Sequence, residues 1–152
     1  MTRIFLETTL FNRYFDIDRE GHEETVALFE AIGKGLFESY TSDNVIYELK
    51  KAKEPKQSKM ISLISELNIS ILETDEEVIR LGNIYVQQQV IPKKYYLDGY
   101  HISIATVNVL DYILSYNFEH INKKKTKQMT ELINKQEGYK GIIICTPKEI
   151  MK

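Results

Sequence analysis

The chain has 152 residues, 43% of them hydrophobic, and carries 20 lysines and arginines against 22 acidic residues. That size and apolar content suit one globular domain over residues 1–152, while a formal net charge of −2 excludes a wholesale basic surface, so a nucleic-acid partner has to be met by local patches. A single cysteine, Cys145 in an apolar run, excludes a disulfide framework; the run Ile4 to Leu6 is too short for a signal peptide, and no stretch approaches the length of a membrane span, which together point to a cytoplasmic protein with no membrane partner.

Ile4-Phe5-Leu6 reads as a strand closed by Glu7, after which Thr8 and Thr9 offer caps for a helix reaching about Phe15. A polar connection over 16–20 leads to a helix marked by Val26, Ala27, Phe29 and Ile32, which ends at the breakers Gly33 to Gly35. Phe37 to Thr41 is a second strand. Ser42 caps the next helix, whose Val45, Ile46 and Leu49 form a buried face; Glu48 lies roughly on that inward side, where a carboxylate needs a reason. Five lysines between Lys50 and Lys59 make a solvated joint before a helix with Met60, Leu63, Ile64 and Leu67 at helical spacing. A third strand, Ile69 to Leu72, precedes a helix capped by Thr74 or Asp75 and stopped at Pro92, with 92–97 as a loop.

The stretch from Asp98 to Asn122 organises the rest. Ile102, Ile104, Ala105, Val107, Val109 and Leu110 give a helix too apolar for an open surface, and Asp98 sits in its first turn, where a carboxylate suits the dipole. Tyr112-Ile113-Leu114 then forms a short strand that delivers Ser115, Tyr116 and Asn117 at its carboxyl end, the edge at which doubly wound proteins keep their sites. A turn, a lysine-rich segment through Lys127, a helix ending near Gly138 and a last strand over Ile142 to Cys145 complete the chain. Five strands separated by helices predict an α/β fold: a three-layer α/β/α domain around a central, mostly parallel five-stranded sheet.

Three carboxylates, Glu7, Glu48 and Asp98, adjoin apolar runs in three separate units, and Asn117 follows a fourth, so all four are candidates for one sheet edge. Ionised carboxylates brought together need a proton or a cation, and oxygen ligands with a carboxamide suit Mg²⁺ or Mn²⁺. His101, one turn after Asp98 on the same face, is a supporting candidate, whereas His120 reads first as a surface turn residue. No Ser/His/Asp triad can be assembled, and the seven scattered glycines form no phosphate loop, which excludes nucleotide hydrolysis of the P-loop kind. Lys93, Lys94, Lys123 and Lys124, near Tyr95, Tyr96 and Phe118, are candidates for holding the phosphates and unstacked bases of single-stranded RNA.

At these residues the chain resembles the PIN domain nucleases, in particular toxin ribonucleases of the VapC type. The segments that carry the resemblance are RIFLETTLFNRYF, TSDNVIYELKKA, LDGYHISIATVNVLDYIL and SYNFEHI, followed by IIICTPKEI near the end. The resemblance implies a PIN-like domain and a divalent-metal-dependent endoribonuclease. Its site would comprise Glu7, Glu48, Asp98 and Asn117, with Thr8 and Ser115 at small hydroxyl positions that support the acids. It also implies an antitoxin protein as partner, and a homodimer. Glu7 stands where Asp is usual and Asn117 where an acid is common, which makes this a variant site that keeps its oxygen ligands. The alternative is a catalytically weak or inactive PIN-like module that binds RNA or protein; a phosphorylated receiver-like domain is disfavoured by the lack of a clear counterpart for the lysine such domains use.

Overall fold

The computed structural model describes residues 1–151; residue 152, the last of the expected domain, lies outside the described residues. The strands are β1 (Arg3–Leu6), β2 (Glu38–Ser42), β3 (Ser70–Leu72), β4 (Tyr112–Leu114) and β5 (Ile143–Cys145); all carry short apolar runs except β2, whose ESYTS is polar but for Tyr40. They form one sheet in the order β3-β2-β1-β4-β5. Where the sequence predicts a mostly parallel sheet, every neighbouring pair is parallel, because each return to the sheet passes through at least one helix that carries the chain back along a face.

Among the described residues the helices are α1 (Thr8–Phe15), α2 (His22–Gly33), α3 (Asp43–Leu49), α4 (Lys56–Glu66), α5 (Glu76–Gln87), α6 (Tyr96–Val107), α7 (Lys124–Gln136) and α8 (Pro147–Ile150), giving a three-layer α/β/α arrangement. Ser42 caps α3 and Asp75 caps α5, each accepting from the backbone N–H three residues on. Several expected boundaries move: α5 ends at Gln87 rather than at Pro92, and α6 ends at Val107 short of Val109 and Leu110, with Gln89 and Val109 in the left-handed region just beyond the two ends. Residues 92–97 are not a plain loop, since Lys93–Tyr95 forms a 3₁₀ turn that runs straight into α6. The lysine-rich segment likewise belongs to α7 from Lys124 onward: lysine is a good helix former, and the buried Thr126 pins the first turn by donating to the His120 carbonyl at 2.8 Å.

The order places β1 at the centre, with all of Ile4, Phe5 and Leu6 buried, and Ile113 and Leu114 of β4 buried beside it. The chain builds outward through β2 and β3, then crosses back over β1 to start β4, so the topological switch falls between β1 and β4. Helix α6 makes that return and is buried along nearly its whole length, from Asp98 to Thr106 with Tyr100 as the exception. Its polar residues are thereby drawn inward toward the carboxyl edge of the sheet.

Candidate active site

Glu7 directly follows β1 and Ser115 directly follows β4. The two strands pair with Leu6 opposite Leu114, so the next side chains meet across the switch point, and Ser115 Oγ donates to Glu7 Oε1 at 2.6 Å. Thr9 Oγ1 donates to the same oxygen at 2.6 Å and accepts the Tyr116 backbone N–H at 2.8 Å. Thr8 and Thr9 are therefore not caps: Glu7 itself occupies the cap position of α1, and the two hydroxyls serve carboxylates. Glu48, in the last turn of α3, enters from the β2 side, and its Oε1 accepts from the Thr8 hydroxyl and, at 2.6 Å, from His101 Nε2. An ionised carboxylate only accepts, so the imidazole proton lies on Nε2.

His101 is fully buried, and its other nitrogen, Nδ1, has no hydrogen-bond partner. One ligand-type atom from each of Glu7, Glu48 and His101 falls within 4.8 Å of the other two. Two carboxylate oxygens and an imidazole nitrogen this close form a donor set that fits a divalent ion, and the nitrogen tilts the set toward Mn²⁺ relative to Mg²⁺, which favours oxygen throughout. Without an ion, the imidazole is the compensating cation. Burial lowers the proton affinity of His101, but the Glu48 hydrogen bond and the charges of Glu48, Glu7 and Asp98 outweigh it and hold the imidazolium above its ordinary value. Burial likewise raises Glu7 against the opposing pull of His101, Ser115 and Thr9, whereas for Glu48 burial is outweighed by His101 and Thr8 and the carboxylate titrates lower than usual.

Asp98 lies beside this group rather than inside it. Burial raises its carboxyl, with His101 and His120 pulling the other way. Its Oδ2 accepts from His120 Nδ1 at 3.0 Å. His120 is thus no surface turn residue: it is buried, with its ring stacked on the exposed Tyr95 at 4.2 Å between centroids. Asn117 turns its Oδ1 to the His120 backbone N–H at 2.9 Å, and its own N–H donates to Ser115 Oγ at 3.0 Å. A local cap of this kind is what an Asn three residues ahead of the His offers, and it was legible in SYNFEH; Thr9 and Tyr95 carried no comparable signal. Lys93 and Lys94 are exposed beside Tyr96 along a groove of about 830 Å³, and Lys123 and Lys124 are exposed at the start of α7. Cys145 is buried at the end of β5, and burial pushes its thiol up to about 12, far from nucleophilic use.

No protein-family model matches the sequence, and no curated protein matches it either. Solved structures do. VapC20 of Mycobacterium tuberculosis, described as a sarcin-ricin loop cleaving toxin, superposes with a TM-score of 0.59 over 77% of this chain and 92% of its own, at 9% identity. VapBC2 of Rickettsia felis, solved bound to a DNA fragment from their promoter, superposes with a TM-score of 0.58 over 80% of this chain and 94% of its own, at 16% identity. The chain has a VapC-like PIN fold. In this PIN fold the Glu7, Glu48 and His101 group stands at the carboxyl end of the central strand, at the topological switch point.

Proposed function

We propose that this PIN-fold chain, read as one domain, is a divalent-metal-dependent endoribonuclease that hydrolyses RNA phosphodiester bonds, acting as the toxin of a toxin-antitoxin pair. The observation that carries the reading is the close approach of Glu7, Glu48 and His101 at the switch point of a VapC-like fold. Glu7, Glu48 and His101 would hold the ion, with Asp98 and Asn117 alongside. When bound, Mg²⁺ or Mn²⁺ supplies a lowered pKa for the attacking water and neutralises charge on the scissile phosphate. The residues of the chain do the rest. Thr8, Thr9 and Ser115 fix the carboxylates in one orientation by donating to them. His120 holds Asp98 from the other side. Lys93, Lys94, Lys123 and Lys124 supply exposed positive charge for the strand's phosphates, and Tyr95 and Tyr96 supply exposed rings for its bases.

An antitoxin covering the acid group and a homodimer belong to the same proposal. The likeness to VapBC2 supports a partner protein. Among the described residues no helix is long and apolar enough to cross a membrane, which is compatible with action in the cytoplasm.

The test is cleavage of a defined single-stranded RNA by the wild type and by Asp98→Asn, with Mg²⁺, with Mn²⁺ and with EDTA. The expected result is cutting by the wild type with either ion, faster with Mn²⁺, and none by Asp98→Asn or in EDTA, with the melting temperature of the variant little changed. Equal cutting by both proteins, or cutting that survives EDTA, ends the reading. One observation favours the alternative, a PIN-like module that binds without cutting: Glu48 has a cationic partner in protonated His101 and Asn117 is neutral, so the centre carries a counter-charge of its own. Binding of the RNA with no cleavage under any ion would establish that alternative.

A further inference from the structure

Tyr116, between Ser115 and Asn117, also borders a second feature, a cavity of about 210 Å³ that Arg13, Tyr116, Phe118 and Lys148 line together with Glu20 and Glu24. Arg13, in the last turn of α1, is only 7% exposed, yet among the described residues it forms no ion pair. Its guanidinium lies on the Tyr116 ring, 4.1 Å from the centroid, and donates from one terminal nitrogen to the Glu20 carbonyl at 2.5 Å, while Nε is buried with no partner. Tyr116 is itself fixed, its hydroxyl within 2.8 Å of Thr25 Oγ1 and 3.1 Å from the Gly21 carbonyl. Gly21 approaches so closely that a Cβ there would fall 2.9 Å from the ring.

A nearly buried guanidinium with one carbonyl, one ring face and no carboxylate is costly, and its planar fork matches a phosphate. Phe118 adds a ring that is 56% exposed and set edge-on to Tyr116 at 6.3 Å, free to take a base on its face. Lys148 is a second cation on the wall. Glu20 and Glu24 offset the two positive charges, so a bare anion gains little there and a ligand needs phosphate and base together.

We propose that this cavity is a nucleotide subsite, taking the phosphate of a nucleotide next to the one being cut on Arg13 and its base on Phe118. The proposal rests on the ribonuclease reading for its substrate. The covalent neighbourhood supports it: Tyr116 stands between Ser115, which holds Glu7, and Asn117, and its N–H bonds to Thr9, which also holds Glu7. The cavity is thus joined to the acid group through adjacent residues of the chain.

Binding without cleavage tests it. Asp98→Asn protein in EDTA, with no ion to draw phosphate to the acids, is titrated calorimetrically with uridine 5′-monophosphate and with uridine. The monophosphate is expected to bind and uridine to bind at least about tenfold more weakly, with Arg13→Met removing that difference by taking away a charged hydrogen-bond donor. Phe118→Ala changes an exposed side chain and leaves the fold alone; it is expected to weaken the monophosphate while the preference over uridine persists. No binding of the monophosphate, equal binding of uridine, or unchanged binding after both substitutions overturns the subsite. These results do not depend on whether the wild type cuts RNA, so the two readings fail separately.

Discussion

At the scale of single residues, the centre is held by short side chains that touch the carboxylates and by one imidazole behind each acid group: His101 behind Glu48, His120 behind Asp98. The second of these makes a specific prediction. His120 Nδ1 donates to one Asp98 oxygen, and its ring lies against the exposed Tyr95, so under the proposed ribonuclease function it would be a positioning residue that ties an exposed ring to an acid. His120→Ala is expected to lower kcat by about tenfold to a hundredfold, the usual range for partners that orient ligands, with little change in KM. His120→Gln, which can still donate to Asp98, should recover part of the loss. A KM effect alone, with kcat intact, would instead make His120 a binding residue.

At the scale of elements, α6 and α5 pack so closely that glycine is required between them. A Cβ on Gly82 would lie 2.3 Å from the Tyr100 ring and 3.3 Å from Ser103 Oγ, which is itself committed to the Val78 carbonyl at 2.8 Å. In an exposed helix Gly→Ala gains about 1 kcal/mol. Here Gly82→Ala is expected to lose about 1–3 kcal/mol through overpacking, read from urea denaturation, and a gain would mean that Tyr100 swings aside freely. The same elements show what the sequence discloses. Strand runs such as Tyr112 to Leu114 and caps such as Ser42 are local signals, and they fell where the apolar pattern and the capping chemistry put them. Glu7, Glu48 and Asp98 stood out because each interrupts an apolar context. Their partners did not, since Thr9 touching Glu7 and Tyr95 stacking on His120 depend on how helices dock, and a threonine or tyrosine at a helix start looks like any cap or surface ring. The start of α7 was missed because lysines look solvated whether or not they are helical.

For the molecule as a whole, the buried charges link stability to pH. His101 has its proton affinity raised in the folded state, so its contribution is present below 6.5 and is lost as the pH rises through the higher folded value. Glu7 and Asp98 are raised too, and what they contribute below their ordinary values of 4.5 and 3.8 fades as the pH climbs through their folded ones. Glu48 is lowered and works in the opposite direction, its contribution being present above 4.5 and lost as the pH falls. As the pH rises from 6.5 through the higher folded value of His101 the imidazolium's contribution is lost, so in EDTA the melting temperature is expected to fall over that range. Mn²⁺ binds the deprotonated donors and should flatten or reverse that fall. An EDTA curve that rises through the same range would show that His101 is not the charge balancing the acids.

The pairing of β1 with β4 has a consequence in time. The bond from Ser115 to Glu7 joins residues 108 apart in sequence, and the central strand cannot be closed on that side until β4 exists. At a synthesis rate of about 5–20 residues per second, β4 and Ser115 follow Glu7 by on the order of ten seconds. Parallel pairing at such separation is also slow once the chain is complete. Throughout that interval Glu7 and then Glu48 are carried by a growing chain in which Thr8 and Thr9 are already present while Asp98, His101, Ser115 and Asn117 arrive late, so the acids exist for seconds before the group that surrounds them is complete.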